Sequence, residues 1–141
     1  MERSDIKILI DSFSEIFRSV HQCSYQKMDQ LKLYPGQPKL LSVIGDHEGL
    51  TQKELASKNF VKPATITGML NKLEANGYVY RVPDESDKRI LRVYLTPEGR
   101  DASLLSKKFL VGLAERMFAG FTEEEIQTTI HLTQKIKKNL Q

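Results

Sequence analysis

The stretch from Thr51 to Leu95 constrains the fold most, because its periodicity changes once, from that of helices to that of strands. Thr51-Gln52-Lys53-Glu54 has the Thr-x-x-Glu spacing of a capping box and predicts the start of a short helix. A connector over residues 58–62 and a second helix over residues 63–76 follow. Residues 78–95 then predict a β-hairpin, so the order is that of a winged helix-turn-helix.

The second of these helices has one apolar face and one face of small side chains. Pro63 suits its first turn, and Gly77 suits the position just past its end. Four apolar residues have the spacing of a single helical stripe: Ile66, Met69, Leu70 and Leu73. The opposite face carries little bulk, with Ala64, Thr65, Gly68, Asn71 and Ala75. A glycine inside a helix costs about 1 kcal/mol relative to alanine, so this bare face requires a reason.

The hairpin is expected to have a charged tip. Its strands are predicted at residues 78–82 and 90–95, which are rich in β-branched and aromatic residues. The polar segment between them begins at Pro83 and includes Lys88 and Arg89. A narrow projection that carries two cations suits the minor groove of a nucleic-acid duplex.

Helices are also predicted on both sides of this lobe. Residues 5–31 carry an apolar seam with the alternating three and four spacing of a coiled coil. A short helix over residues 37–47 follows. Thr96-Pro97 predicts the start of a helix that runs to about residue 118 and is apolar on more than one side. Thr122 begins a last helix with a second capping box.

Composition excludes several classes of protein. The 141 residues are 40% hydrophobic and 28% charged, as in a soluble domain, and no apolar run approaches the roughly 20 residues of a membrane span. The single cysteine, Cys23, rules out an internal disulfide and a cysteine-based zinc cluster. No nucleophile–base pair or glycine-rich phosphate loop points to an enzyme. We therefore expect a cytoplasmic protein that is not an enzyme and that has no signal peptide, cofactor or metal.

A double-stranded DNA partner accounts for the bare helix face. The major groove, about 12 Å wide, barely admits a helix about 10–12 Å in diameter, so small side chains permit close approach. Lys62 cannot cap the helix, and a phosphate would suit both its ammonium group and the free N–H groups. The net charge of +3 adds weak support, because residues 51–92 alone carry eight basic and five acidic side chains. The alternative is that Gly68 and Ala75 pack against a neighbouring helix and that Lys62 is only solvated.

Three segments and a wing signature make the sequence recognisable. The segments are Gly49-Leu50-Thr51-Gln52-Lys53-Glu54-Leu55-Ala56, Pro63-Ala64-Thr65-Ile66-Thr67-Gly68-Met69-Leu70-Asn71-Lys72-Leu73-Glu74 and Gly77-Tyr78-Val79, followed by Arg81 and by Leu95-Thr96-Pro97-Glu98-Gly99. The most specific part is Asp87-Lys88-Arg89, followed six residues on by Leu-Thr. With these residues the chain resembles the MarR family of bacterial winged-helix transcription regulators over nearly its whole length.

The resemblance implies a mainly α fold with a small β-hairpin wing. A winged helix-turn-helix lobe at residues 35–96 is then flanked by dimerisation helices at residues 1–34 and 97–141. The wide apolar stripes of the terminal helices agree with such a homodimer, because a single domain offers too little core to cover them. The resemblance further implies that the helix at residues 63–76 enters the major groove and that Arg89 reaches the minor groove.

The expected function is sequence-specific binding of double-stranded DNA by a transcription regulator. We expect a repressor that binds a pseudo-palindromic operator as a homodimer. The expected major-groove residues are Lys62, Ala64, Thr65, Thr67, Gly68, Asn71 and Lys72, and the expected wing residues are Arg81, Asp87, Lys88 and Arg89. The alternative function is a winged-helix module that binds another protein and does not bind DNA.

Relatives in this family respond to small aromatic or other anions, so the resemblance also implies a small-molecule effector. His21, Tyr25 and Tyr34 are the candidate pocket residues, and packing of amphipathic rings is the alternative explanation for them. Cys23 lies on the apolar seam and is interpreted as core filler rather than as a redox sensor. Asp46-His47-Glu48, at a helix end, is interpreted as solvated rather than as a set of metal ligands.

Overall fold

The helices and strands follow the predicted order. A computed structural model describes residues 2–141, apart from the side chains of residues 25–27. Its elements are α1 (Arg3–Met28), a 3-10 helix (Asp29–Leu31), α2 (Gln37–Asp46), α3 (Gln52–Lys58), α4 (Pro63–Ala75), β1 (Val79–Pro83), β2 (Leu91–Leu95), α5 (Pro97–Met117) and α6 (Glu123–Asn139). The predicted first helix thus ends three residues early, and a tighter turn completes it before Lys32 adopts a left-handed conformation with φ of 52°.

Hydrogen bonds cap the helix-turn-helix at both ends, at the Thr51 capping box and at Gly77, the two positions that the sequence indicated. The Thr51 hydroxyl accepts from the Glu54 amide at 3.2 Å, and the Glu54 carboxylate accepts from the Thr51 amide at 2.8 Å, so the capping box is confirmed. After α4, Gly77 has a φ of 77° and its amide donates to the Glu74 carbonyl. The Tyr78 amide donates to the Leu73 carbonyl, which completes a Schellman motif. These two caps fix where α3 begins and where α4 ends.

The hairpin is joined to the segment between α2 and α3. Strands β1 and β2 are antiparallel, with Val79 opposite Leu95 and Pro83 opposite Leu91. The Val93 amide donates to the Leu50 carbonyl at 3.0 Å, and the Gly49 amide donates to the Val93 carbonyl at 2.9 Å. The base of the hairpin is therefore held on the helix-turn-helix by backbone hydrogen bonds.

One apolar core lies beneath the helix-turn-helix and the hairpin. Its fully buried apolar side chains come from α2, α3, α4 and both strands: Leu40, Leu41, Ile44, Leu55, Ile66, Leu70, Leu73, Val79 and Val93. The predicted inward stripe of α4 is confirmed at Ile66, Leu70 and Leu73. Burying a Leu or Ile side chain stabilises a fold by about 1.5–3 kcal/mol, so this stripe fixes which face of α4 points outward.

The helices at the two ends of the chain expose apolar stripes. The chain divides into two compact units, one that ends at Leu110 and one that begins at Val111. In the first unit, α1 exposes Ile6, Leu9, Phe13 and Ile16, which belong to the predicted seam. In the second unit, α6 exposes Ile130, Leu132 and Ile136 and has no buried residue. Among the described residues, no helix is both long enough and apolar enough to cross a membrane.

Candidate nucleic-acid interface

The outer face of α4 is open, as its bare sequence predicted. All seven candidate residues on and beside it are exposed: Lys62, Ala64, Thr65, Thr67, Gly68, Asn71 and Lys72. Apart from the backbone of its own helix and its chain neighbours, no heavy atom of the described residues lies within 4 Å of a Cβ atom built on Gly68. Among the described residues, therefore, no other element packs on Gly68, and the outer face leaves room for a close partner.

The start of α4 leaves a hydrogen-bond donor beside a cation. Lys62 occupies the N-cap position and makes no side-chain capping hydrogen bond. Pro63 has no N–H group, and the Thr65 amide donates to the Lys62 carbonyl at 3.0 Å. The Ala64 amide has no acceptor among the described residues, and at the first turn of a helix it points along the axis, out of the N-terminus. An anion at this end of α4 would meet both that amide and the Lys62 ammonium group.

Arg81 connects β1 to the outer face of α4. Its Nη2 atom lies 2.5 Å from Glu74 Oε2 and 2.8 Å from Asn71 Oδ1. Its Nη1 atom donates to Gln52 Oε1 of α3 at 3.2 Å. The hydrogen bond from Arg81 is the main reason why the pKa of Glu74 lies below its usual value. Although Arg81 was expected among the wing contacts, its side chain is only 16% exposed and is held by the protein.

The same network reaches the hydroxyl group of Thr67. Gln52 Nε2 donates to Thr67 Oγ1 at 3.3 Å, and Thr67 Oγ1 donates to the Pro63 carbonyl at 3.0 Å. A chain of hydrogen bonds therefore runs from Arg81 through Gln52 and Thr67 to the first turn of α4. Gln52 and Glu74 were not among the predicted site residues. Glu74 follows Asn71 by three positions on the same helix face, which is the signal that would have indicated it.

The turn of the hairpin is organised by Asp84. Its Oδ2 atom accepts from the Ser86 hydroxyl and from the Ser86 and Asp87 amides, at 2.9 to 3.2 Å. Its Oδ1 atom accepts from Arg92 Nε at 2.6 Å, and Arg92 Nη1 also donates to the Gly49 carbonyl at 2.8 Å. The hydrogen bond from Arg92 is the largest cause of a pKa of about 2 for Asp84. The turn is thereby tied to the base of the helix-turn-helix.

The tip of the hairpin presents Arg89 to solvent. Asp87 accepts from the Arg89 amide, from Nε and from Nη2, each at 3.0 Å, so the guanidinium group is held in a bidentate pair. The Arg89 side chain is nevertheless 91% exposed, and Lys88 beside it is also exposed. This pairing lowers the pKa of Asp87 and raises that of Arg89. Asp87 thus orients an arginine whose outer edge is accessible.

The ion pairs leave the positive charge of the lobe on lysines. Within residues 51–92, the three arginines pair with three of the five acids. Glu54 is used in the capping box of α3. The remaining cations are Lys53, Lys58, Lys62, Lys72 and Lys88. The lobe accordingly has both lysines outside these ion pairs and oriented arginines with which to bind a polyanion.

The candidate effector residues are only partly brought together. Tyr34 lines a groove of about 360 Å³ together with Asp29, Lys32, Leu33, Lys72, Ala75 and Asn76. The Lys72 Nζ atom lies 4.8 Å from the centre of the Tyr34 ring, in a cation–π contact. His21 is exposed on α1 and does not line this groove. The side chain of Tyr25 lies outside the described residues.

Two other predicted features can be located. Cys23 is half-buried on α1. In the triplet at the end of α2, Asp46 pairs with Lys107 and Glu48 pairs with Arg100 at 2.8 Å. Among the described residues, no group of three His, Cys, Asp or Glu side chains is arranged to hold a metal ion.

Comparison with known proteins identifies the family. The sequence model of the MarR family matches residues 33–91, which run from just before α2 to the first residue of β2. A solved structure described as a MarR protein from Peptoclostridium difficile is 30% identical, with a TM-score of 0.87 over 94% of this chain and 86% of that one. The chain belongs to the MarR family.

Other MarR-type relatives carry functional descriptions. The transcriptional repressor MdtR of Bacillus subtilis is 27% identical over 136 residues, which are 94% of this chain and 84% of MdtR. The crystal structure of Streptococcus pneumoniae FabT in complex with DNA is 25% identical, with a TM-score of 0.76 over 96% of each chain. Membership of the MarR family makes this chain a transcriptional regulator and accounts for the winged helix-turn-helix.

Proposed function

We propose that this MarR-family regulator binds double-stranded DNA sequence-specifically and acts as a repressor. The observation that carries the proposal is the open outer face of α4, where Gly68 has no neighbour within 4 Å of a built Cβ. A helix that pays the conformational cost of an internal glycine without a packing contact needs a partner that approaches closely. The major groove is such a partner, since its width about equals the diameter of a helix.

The residues of α4 suit two kinds of DNA contact. Lys62 and the Ala64 amide, at the first turn, suit a phosphate, which would fix the register of the helix. Thr65, Thr67, Gly68 and Asn71 lie farther along the exposed face and suit base edges. Lys72 adds a charge that lowers the free energy of binding without reading sequence.

The hairpin supplies a second point of contact, in the minor groove. Arg89 is held by Asp87 in a fixed orientation and remains 91% exposed. A narrow minor groove has an enhanced negative potential, which favours the insertion of a guanidinium group. Lys88 would contact the adjacent backbone. We assign to Arg81 a role within the protein, because Glu74, Asn71 and Gln52 surround its guanidinium group.

A homodimer on a pseudo-palindromic operator fits this surface. The exposed apolar stripes of α1 and α6 need a cover, and residues 1–34 and 97–141 are the proposed dimerisation regions, around a DNA-binding lobe at residues 35–96. A two-fold dimer presents two copies of α4 to half-sites about one helical turn, roughly 34 Å, apart. FabT, in complex with DNA, and MdtR, described as a repressor, are relatives with matching descriptions.

A small-molecule effector is proposed for the groove beside Tyr34. The two cations Lys32 and Lys72 outnumber the single carboxylate of Asp29, and Tyr34 and Leu33 give the groove an apolar wall, which suits a small aromatic anion. Lys72 is also a proposed DNA contact. An anion that binds there would draw Lys72 towards the groove and weaken the complex with DNA.

Duplex binding by the purified protein tests the proposal. Random duplexes are selected for retention, and the affinity of the selected duplex is measured by fluorescence anisotropy as a function of salt. We expect log K to fall linearly with log salt, by about 0.9 for each phosphate contact. Salt-independent binding, or none, would leave the module that binds another protein as the better account.

The variant Arg89→Ala locates the wing in that complex. We expect at least a tenfold loss of affinity, about 1.4 kcal/mol, with the melting temperature nearly unchanged because exposed ion pairs contribute little. The matched control is Arg100→Ala. Arg100 lies on α5, outside the proposed surface, and its substitution breaks an exposed ion pair with Glu48. Equal effects of the two substitutions on affinity would remove Arg89 from the interface.

A further inference from the structure

We propose that Arg81 is a positioning residue that determines which hydrogen-bonding groups α4 offers to base pairs. The inference rests on the proposed function, since it concerns how the outer face of α4 reads DNA. Arg81 lies at the base of the hairpin, and its side chain points to α4 rather than to solvent. Four of its five N–H groups donate to side chains of α3 and α4.

The guanidinium group fixes the orientation of the Asn71 amide. A guanidinium group has donors and no acceptor, so the atom of Asn71 that faces Arg81 Nη2 at 2.8 Å must be its oxygen. The NH2 group of Asn71 is then the part of the amide left for a partner, on an exposed side chain. This bond occupies one of the two lone pairs of the oxygen and turns the oxygen towards Arg81, so Asn71 presents chiefly its N–H donors to a partner.

An asparagine that presents its N–H groups to DNA favours different bases from one whose whole amide is available. The usual bidentate contact with adenine uses both the oxygen and the NH2 group of the amide. With its oxygen turned towards Arg81, Asn71 can donate to N7 of adenine but has no acceptor directed at the N6 amino group beside it. The O6 and N7 atoms of guanine are both acceptors, as is O4 of thymine. Guanine is therefore the preferred partner and adenine is disfavoured.

The same arginine determines what Thr67 offers. Arg81 Nη1 engages the Gln52 oxygen at 3.2 Å, so the Gln52 NH2 group faces Thr67 Oγ1 at 3.3 Å. The Thr67 hydroxyl accepts that bond and donates its own proton to the Pro63 carbonyl at 3.0 Å. The hydroxyl then has no proton left to donate and keeps only one lone pair, so the methyl group becomes the main contact for DNA, and an apolar contact of this kind suits the methyl group of thymine.

Glu74 keeps Arg81 in this arrangement. Its two carboxylate oxygens accept from Arg81 Nη2 and Nε, which makes a bidentate pair across α4 and β1. Without such a pair, a guanidinium group near DNA would turn to a phosphate. The ion pair thus holds the arginine on the protein and leaves base recognition to Asn71 and Thr67.

The test compares the base preferences of variants selected on random duplexes. The base pair read by Asn71 is the position at which Asn71→Ala loses its preference. At this position we expect the wild type to favour guanine over adenine by about tenfold, and Arg81→Met to reduce that ratio to within about twofold. The control Arg92→Met also removes an ion-paired arginine from the hairpin, but one that pairs with Asp84, and it should keep the wild-type ratio.

Each outcome decides the proposal. Adenine preferred by the wild type at that position, no position affected by Asn71→Ala, or an unchanged ratio in a folded Arg81→Met would each overturn it. If Arg81→Met does not fold, the comparison of the wild type with Asn71→Ala decides alone. A failure of the wild type to retain any duplex would instead contradict the proposed function.

Thr67 gives a second test that leaves Arg81 in place. Thr67→Val keeps the methyl group and loses the hydroxyl, whereas Thr67→Ser keeps the hydroxyl and loses the methyl. We expect Thr67→Val to retain the selected sequence with affinity within about twofold, and Thr67→Ser to lose about fivefold on a site with thymine. The reverse order would mean that the hydroxyl reads DNA, and it would overturn the inference for this residue.

Discussion

The arginines of the hairpin show how one residue type serves different purposes according to its neighbours. Arg92 is held by Asp84, which also accepts from a backbone amide of the turn. Arg81 is held by Glu74 of α4, so both arginines brace the lobe. Among the described residues, Arg89 is held by Asp87 alone, two residues away, and it stays exposed. An arginine with a local partner costs the fold little when it leaves that partner, which suits Arg89 to a contact made in the complex.

Asp84 gives a prediction at the scale of one residue. Its pKa in the folded chain is about 2, below the ordinary value of 3.8, chiefly because it accepts from Arg92. The ionised form is thus stabilised by folding, and this stabilisation is present above about pH 4 and is lost as the pH falls towards 2. Asp84→Asn removes the charge and keeps the shape. The gap in free energy of unfolding between wild type and variant should therefore shrink as the pH falls.

Urea unfolding at about pH 5 and about pH 3 measures that gap. Other carboxylates with lowered pKa values that do not interact with Asp84, such as Glu74 and Asp46, contribute equally to both proteins, so the difference reports on Asp84 and its immediate neighbours. Asp101→Asn, an exposed site on α5 with no ion pair among the described residues, is the matched control. A gap for Asp84→Asn that is the same at both pH values would mean that the Arg92 pair does not stabilise the turn.

At the scale of an element, the side chains of α4 that the fold needs and those proposed to bind DNA lie on opposite faces of the helix. Gly68 has open space around it, so Gly68→Leu fits the folded chain and replaces a poor helix former by a good one. We expect a melting temperature at least equal to that of the wild type, and a loss of duplex binding of at least a hundredfold, because the isobutyl group fills the close-approach surface. Thermal melting and fluorescence anisotropy on the same sample measure both.

Gly68→Ala is the matched control for that prediction. It should raise the free energy of unfolding by about 0.4–1 kcal/mol and reduce affinity much less than leucine does, since only one methyl group is added. A destabilised Gly68→Leu would indicate that a second chain packs on this position. An unchanged affinity would take the outer face of α4 out of the major groove.

Local features of the sequence are enough to predict the helices and the hairpin. The tertiary contacts between them are not predictable from local features. Capping boxes, Pro63 and Gly77 act within one or two turns, so the bounds of α3 and α4 were predicted nearly to the residue. The end of α1 was missed by three residues, because the left-handed conformation of Lys32 leaves no pattern in an amphipathic stretch. The bonds of Arg81 to Asn71 and Gln52 span 10 and 29 residues of sequence, so no local pattern indicates them. From the sequence alone, Arg81 is therefore predicted on the DNA surface.

At the scale of the whole molecule, the terminal helices lack the buried core that the winged lobe has. The exposed side chains of α1 include Ile6, Leu9, Phe13 and Ile16 on the predicted seam, together with Phe17. Full burial of an exposed side chain of this kind is worth about 1.5–3 kcal/mol, and covering the exposed fraction of each one recovers part of that free energy. A second copy of the chain offers the same stripes, so a two-fold interface is self-complementary. Without a partner, the apolar stripe of α1 would stay in contact with water, which is unfavourable.

Dimerisation is therefore the prediction that belongs to the molecule as a whole. Light scattering on the purified protein should give twice the chain mass of 16.1 kDa at micromolar concentration. Leu9→Glu places a charge on the exposed stripe of α1 and should shift the mass towards that of one chain, because an unpaired charge is costly to bury. Gln22→Glu adds the same charge to an exposed position of α1 away from the stripe and should leave the dimer intact. A soluble wild-type monomer, or equal masses for the two variants, would mean that the stripe of α1 does not form the interface, and the two half-sites of the proposed operator would then lose their structural basis.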